Sequence, residues 1–222
     1  MKILPIFTPF DMQSWNRREI FHYFSQMAPT SYSITTKLDI TDTKSALVEK
    51  KLKFFPTYLW LMTTAVNRFP EMTTAVYDGK VGRWNCLTPL YAQFHEDDKS
   101  ISLMHLQYDD SFSGFYQSYI ENPQKFGDKH GLLPQAPDFP PPNSYTVSAL
   151  PWVEFDSFSL QTKSESPYYF PTIECGKMIV GERVLLPISI TVSHAVCDGW
   201  HISQFIKSLE QMLNNPKEWI NS

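Results

Sequence analysis

The sequence predicts an α+β fold, a two-layer sandwich of a mixed/antiparallel sheet with helices on one face, built by residues 1–222 as a single domain. Three observations predict it. Short segments with apolar residues at every second position recur along the chain, and four of them sit in pairs around tight polar turns. Runs with apolar residues at helical spacing separate these strands. The 222 residues are 42% hydrophobic and 15% aromatic and contain no internal repeat, so they can bury a substantial core as one unit.

The first helix is expected over Asp11–Met27, with Trp15, Ile20, Phe21 and Phe24 on its apolar side and Pro29 just past its end. Arg17 and Arg18 come early in it, and on residue type alone an Arg pair is a solvated face. Ile34, Thr36, Leu38 and Ile40 then share one side of a strand. Ala46, Leu47, Lys50 and Lys51 suggest a short amphipathic helix. Pro56 can start a longer one, whose core side is Leu59, Met62, Val66 and Phe69, before Pro70.

Thr74–Tyr77, Asp78-Gly79 and Lys80–Trp84 read as a hairpin, because Asp-Gly supplies the positive φ angles of a two-residue turn. Tyr91–His95 and Ile101–Leu106 flank the polar Glu96–Lys99 turn as a second hairpin. A helix is expected over Ser111–Ile120. Gly127–Asn143, rich in Gly and Pro, is an ordered surface loop and not a linker, since strand pattern resumes at Tyr145.

Charge and composition exclude several partners. A formal net charge of −4 offers no basic stripe for nucleic acid. No apolar run approaches a membrane span, and the segment from Met1 to Pro5 is too short for a signal peptide. Cys86, Cys175 and Cys197 cannot all pair and show no metal spacing, which fits a reducing cytoplasm. There is no glycine-rich phosphate loop.

The chemistry concentrates in Ile190–His201. Leu186, Ile188, Ile190 and Val192 alternate with polar residues as a strand, and His194 follows on their side. Asp198-Gly199 breaks the chain, and Ile202, Phe205, Ile206, Leu209 and Leu213 continue as a helix that stops at Asn214-Asn215-Pro216. Asp198 can cap that helix. By itself His194 reads as an ordinary core histidine. His194, Cys197, Asp198 and His201 match no standard zinc spacing, and nothing cationic flanks Cys197 to make it a nucleophile.

Ser193-His194-Ala195-Val196-Cys197-Asp198-Gly199-Trp200-His201 resembles the His-x-x-x-Asp-Gly signature of the chloramphenicol acetyltransferase family. The signature is shared with the acyltransferase domains of 2-oxo acid dehydrogenase complexes and with carnitine and condensation-type acyltransferases. It therefore specifies acyl transfer from coenzyme A-type donors better than the acceptor. Trp15–Glu19 and Ser148–Phe158 resemble further segments of the chloramphenicol enzymes, in the same order and spacing, and the likeness spans nearly the whole chain.

The resemblance implies acetyl-CoA-dependent O-acetylation of chloramphenicol by a cytoplasmic homotrimer with active sites at subunit interfaces, and no metal. It implies His194 as general base, Ser148 as oxyanion donor, and a structural pair of Asp198 with Arg17, not Arg18. Phe24, Phe158 and Leu160 would contact the acceptor, the last two alternating on a strand after Ser148. Trp152 would line the pantetheine channel, with Lys53 and Lys177 near the coenzyme's phosphates. On residue type alone these are core aromatics, a strand serine and solvated lysines. Three positions depart from the family: Ser193 stands for a second His, Phe24 for a Tyr of some relatives, and Glu174 for a threonine near the oxyanion. Transfer to another hydroxyl or amine, or a non-catalytic scaffold, are the competing readings. The sequence has no lipoyl domain or Pro/Ala-rich linker to support a dihydrolipoamide reaction.

Overall fold

A computed structural model describes residues 1–127, 129–135, 140–160 and 168–222. Its main sheet runs β2 (Ser31–Asp39), β10 (Val184–Ser193), β8 (Thr172–Cys175), β7 (Ser144–Ala149), β5 (Thr88–Phe94) and β6 (Ile101–His105), in that spatial order. The two-residue β9 (Ile179–Val180) also pairs with β10. Pairing is parallel at β5–β7 and β7–β8 and antiparallel elsewhere, so the sheet is mixed. A smaller antiparallel sheet joins β1 (Phe7–Pro9), β4 (Lys80–Trp84) and β3 (Thr74–Tyr77). The expected Asp78-Gly79 turn is present, with φ of 49° and 69° at the two positions, as a type I′ hairpin requires.

The helices gather on one face of the main sheet. α3 (Phe54–Asn67) contacts α4 (Phe112–Phe126), α5 (Gly199–Asn214) and β5, and α2 (Thr41–Glu49) contacts α5 and β10. α3 is buried almost all round, from Pro56 through Met62 to Val66, as befits a helix inside its layer. It begins at Phe54, two residues before the expected Pro56. Proline, lacking a backbone N–H, is still within the first turn there and breaks no helical hydrogen bond.

Cross-strand partners share a face, so the register divides the sheet cleanly. Val147, Ile173, Ile190 and Ile34 form one row on the helix side, the first three fully buried. On the other face lie two polar rows: Ser148, Glu174, Ser189 and Thr35, then Thr146, Thr172, Thr191 and Ser33. The helices cover the apolar face.

Two expectations about elements need correction. The first helix does not begin at Asp11. The Asp11 carboxylate accepts hydrogen bonds from the Gln13 N–H (3.0 Å) and the Ser14 hydroxyl (2.8 Å), a local turn that competes with helix. Helix α1 covers only Arg18–His22 and passes into a π-helical turn, Tyr23–Met27. Phe158 and Leu160 are not on a strand: β7 ends at Ala149, and Leu150-Pro151 turns the chain away. Of the expected loop Gly127–Asn143, residues 128 and 136–139 lie outside the described residues.

Candidate active site

The pairing of β10 with β2 holds to the last position, Ser193 opposite Ser31, and the chain then turns. The His194 N–H donates to the Thr30 carbonyl at 2.9 Å, which pins the turn to the segment before β2. Instead of continuing into the core, the imidazole swings onto the π-helical turn. It stacks face to face on Phe24, with centroids 4.0 Å apart and an 8° interplanar angle, and meets the edge of Tyr32 at 5.5 Å. The side chain is 33% exposed, yet Nδ1 is buried and has no hydrogen-bond partner among the described residues. The Asp198 Oδ1 lies 3.4 Å from Nδ1.

Asp198 is committed elsewhere. Arg17 Nη1 and Nη2 donate to its two carboxylate oxygens at 2.7 and 2.9 Å, a bidentate pair. The Arg17 bonds hold the Asp198 carboxyl below the usual carboxylate range, and the same contact raises the Arg17 guanidinium. A carboxylate engaged on both oxygens is a poor triad acid, and the long contact to His194 agrees. The Asp198 N–H donates to His201 Nδ1 at 3.0 Å, so His201 belongs to the start of α5. Arg17 and Asp198 thus clamp the turn that carries His194. Arg17→Ala and Asp198→Ala should each destabilise the protein, and a double-mutant cycle in urea should return a coupling of about 1–3 kcal/mol. Additive losses would show that the clamp holds nothing.

Cys197 is buried and its thiol is pushed up to about 12 by desolvation, which removes it as a nucleophile at neutral pH. Among the described residues the His/acid group compact enough for a metal is His95, Asp97 and His130, at the β5–β6 turn and away from this stretch in sequence. Its two imidazoles stack at 4.3 Å and 27°.

A cavity of about 230 Å³ opens on the polar side of the sheet. Phe24 and Leu160 wall it, Thr172 and Thr191 line it from β8 and β10, and Tyr168 and Phe170 close another side. Phe24 therefore faces His194 and the cavity together. Phe158 does not line it; its carbonyl accepts from Ser189 Oγ at 2.6 Å, which fastens the 155–160 segment over the polar face. Trp152 is 61% exposed and packs edge-on against Phe94. Lys53 precedes α3, and Lys177 lies 3.9 Å from Glu154; both are exposed. In the single chain none of these three reaches the cavity.

Ser148 lies near the end of β7, and its carbonyl accepts from the Tyr58 hydroxyl of α3 at 3.3 Å. Its register partner Glu174 is 1% exposed, and neither carboxyl oxygen has a partner among the described residues. Burial alone pushes this carboxyl up from 4.5 to about 7. A raised carboxyl favours the folded state only while neutral. Its contribution is complete below about pH 4.5 and is lost as pH climbs through 7. Urea unfolding at fixed protein concentration should therefore show Glu174→Gln gaining on the unsubstituted protein by up to about 3 kcal/mol between pH 5 and 8. A pH-independent difference would contradict the burial of a neutral acid.

Tyr32 escaped the sequence reading, although the even-numbered alternation of Ile34, Thr36 and Leu38 extends back to it and Val192 is its partner in register. The Tyr168–Phe170 wall gave no signal beyond an aromatic run.

The family model for chloramphenicol acetyltransferase matches residues 6–210. A chloramphenicol acetyltransferase of Clostridium perfringens is 34% identical over 216 residues, covering 96% of this chain and 98% of that protein. Chloramphenicol acetyltransferase 2 of Escherichia coli is 38% identical over 210 residues, covering 94% and 98%. A solved chloramphenicol acetyltransferase superposes with a TM-score of 0.83 at 24% identity, over 94% of this chain and all of that one, which bears out the two-layer α+β architecture. With the signature, the sheet and the relatives in agreement over nearly its full length, this chain belongs to the chloramphenicol acetyltransferase family.

Proposed function

We propose that the chain catalyses acetyl-CoA-dependent O-acetylation of chloramphenicol, by direct transfer in a ternary complex with His194 as general base. The observation that carries this reading is the position of the His194 ring, stacked on the same Phe24 that walls the cavity. An alcohol is a weak nucleophile at neutral pH, so a base must take its proton as it attacks the thioester carbonyl. With Nδ1 buried towards the Asp198 carboxylate, the proton of the neutral ring stays on Nδ1 and the Nε2 lone pair is left to accept the substrate's. Ser148 donates to the oxyanion that forms. Collapse of the intermediate expels the coenzyme thiolate, which recovers the proton from His194.

The apolar wall of Phe24 and Leu160, with Phe158 beside it, suits an uncharged acceptor with an aromatic ring. Phe24 lacks the hydroxyl of Tyr-bearing relatives, a difference of about 1 kcal/mol if that hydroxyl makes a neutral hydrogen bond. Trp152, Lys53 and Lys177 would serve acetyl-CoA once a neighbouring chain is present. A cavity of about 230 Å³ is smaller than the ~300–1,000 Å³ of typical small-molecule sites, which supports a homotrimer whose neighbours complete each site. Sedimentation should then give three times the 25.8 kDa chain mass. Three free cysteines, all buried, suit a reducing cytoplasm. The protein should release thiol from acetyl-CoA when chloramphenicol is added. Release with a different alcohol or amine but not with chloramphenicol would replace the acceptor and leave the acyl transfer standing.

A further inference from the structure

Glu174 is the buried carboxyl that the reaction above does not use. Asp109, the other buried acid among the described residues, is bonded to the chain's N-terminal ammonium and to the Ser111 N–H, whereas neither Glu174 oxygen has a partner among those residues. In register it stands between Ser148 on β7 and Ser189 on β10, all three on the polar face, with neighbouring strands about 4.8 Å apart. Ser189 has already given its one proton to the Phe158 carbonyl. Either serine oxygen could accept from a neutral Glu174, but only Ser148, whose own proton is uncommitted among the described residues, can accept and still donate onward. It is within reach of ordinary rotamer changes of the two side chains. Thr172 and Thr191, in the neighbouring row of the same face, line the cavity, and Ser148 and Glu174 stand beside them outside its lining.

We propose that Glu174 is a positioning residue for Ser148, working as a neutral carboxylic acid whose O–H donates to Ser148 Oγ. This rests on the reading of Ser148 as the oxyanion donor. A serine hydroxyl that accepts one hydrogen bond keeps its own proton to donate, and the chain of two bonds strengthens it as a donor. Ionised, the carboxylate can only accept. It then takes the Ser148 proton for itself and withdraws it from the oxyanion. One protonation event thus turns the donor towards the reaction or away from it.

The ionisation falls in a useful range because burial raises the Glu174 carboxyl to about 7 with no opposing charge among the described residues. Among the described residues, Tyr168, from the segment before β8, lies on Glu174's side of the sheet, and Tyr58 of α3 and Cys175 lie across it on the helix side. All three are themselves raised by desolvation, Cys175 to about 12, so they are neutral where Glu174 loses its proton. No cation accompanies them among the described residues.

The test is the pH dependence of kcat for chloramphenicol-dependent thiol release, measured for the unsubstituted trimer, Glu174→Gln, Ser148→Ala and the double variant. Glutamine keeps an N–H donor and does not titrate. Relative to Glu174→Gln, kcat of the unsubstituted enzyme should fall roughly tenfold per pH unit once Glu174 is largely ionised, with both KM values unchanged. In the Ser148→Ala background, Glu174→Gln should leave the profile as it was, because the effect passes through Ser148. A purely structural residue would shift stability and leave the slope alone. Should Glu174→Gln fail to fold, Glu174→Thr replaces it with the same expected loss of the alkaline fall. Superimposed profiles, or an equal effect with and without Ser148, would overturn the proposal. So would an infrared titration finding the carboxyl ionised already at pH 6. An unsubstituted enzyme that releases no thiol with chloramphenicol at any pH would instead overturn the function beneath it.

Discussion

Replacement of His194 by alanine should lower kcat by about 10²- to 10⁴-fold, with kcat/KM falling in parallel and the fold intact. The magnitude is that of a general base acting at its working pH, and the argument for an unharmed fold is local. The ring is partly exposed, and its contacts are one stack on Phe24 and one edge on Tyr32. Such aromatic contacts are worth about 0.5–1.5 kcal/mol each, too little to unfold a chain with this core. The Arg17–Asp198 clamp, the His194 N–H bond to Thr30 and the Asp198–His201 bond all survive the substitution. Circular dichroism and sedimentation should match the unsubstituted protein. A variant that keeps a tenth of the activity would remove His194 from the chemistry.

Ser148→Ala should cost about 10²–10³ in kcat, roughly 3 kcal/mol of transition-state stabilisation, with little change in either KM. As the proposed oxyanion donor, the hydroxyl would matter only when the thioester oxygen acquires charge, so the loss should fall on turnover and not on binding. β7 is held on both sides, by β5 and β8, and by the Tyr58 bond to the Ser148 carbonyl. Loss of one Oγ at the edge of that scaffold leaves its position unchanged. A rise in KM with kcat preserved would make Ser148 a binding residue instead of an oxyanion donor.

The parts of the molecule that could be read in advance are those where local pattern and tertiary packing ask for the same thing. Leu186 to Val192 alternate because β10 is covered by helices on one face, and Ile202, Phe205 and Leu209 recur because α5 lies over that face. Asp78-Gly79 needed only backbone sterics. The failures have the opposite cause. Asp11 and Ser14 form a side-chain turn that apolar period alone does not register, so the pattern predicts helix where the chain turns. Phe158 and Leu160 alternate in sequence, but their segment is fixed by Ser189 Oγ from another strand, a contact invisible at that range. The partnership of Arg17 with Asp198 spans 181 positions, and no spacing rule within one element reaches that far. It was legible only through the likeness of two distant motifs to one family. Trp152 and the two lysines were named by the same likeness, and one chain alone does not bring them to the cavity.

Direct transfer from acetyl-CoA to chloramphenicol is tested most directly by initial rates of thiol release, with both substrates varied. In the proposed reaction His194 takes a proton and holds no acetyl group, and the Cys197 thiol, pushed up to about 12 by burial, is protonated at neutral pH, so both substrates are expected to be bound before the acyl group moves. Double-reciprocal plots should intersect, and radiolabelled acetyl-CoA without acceptor should leave no label on the protein. Parallel lines, or an acetyl-enzyme recovered in the absence of chloramphenicol, would contradict the account.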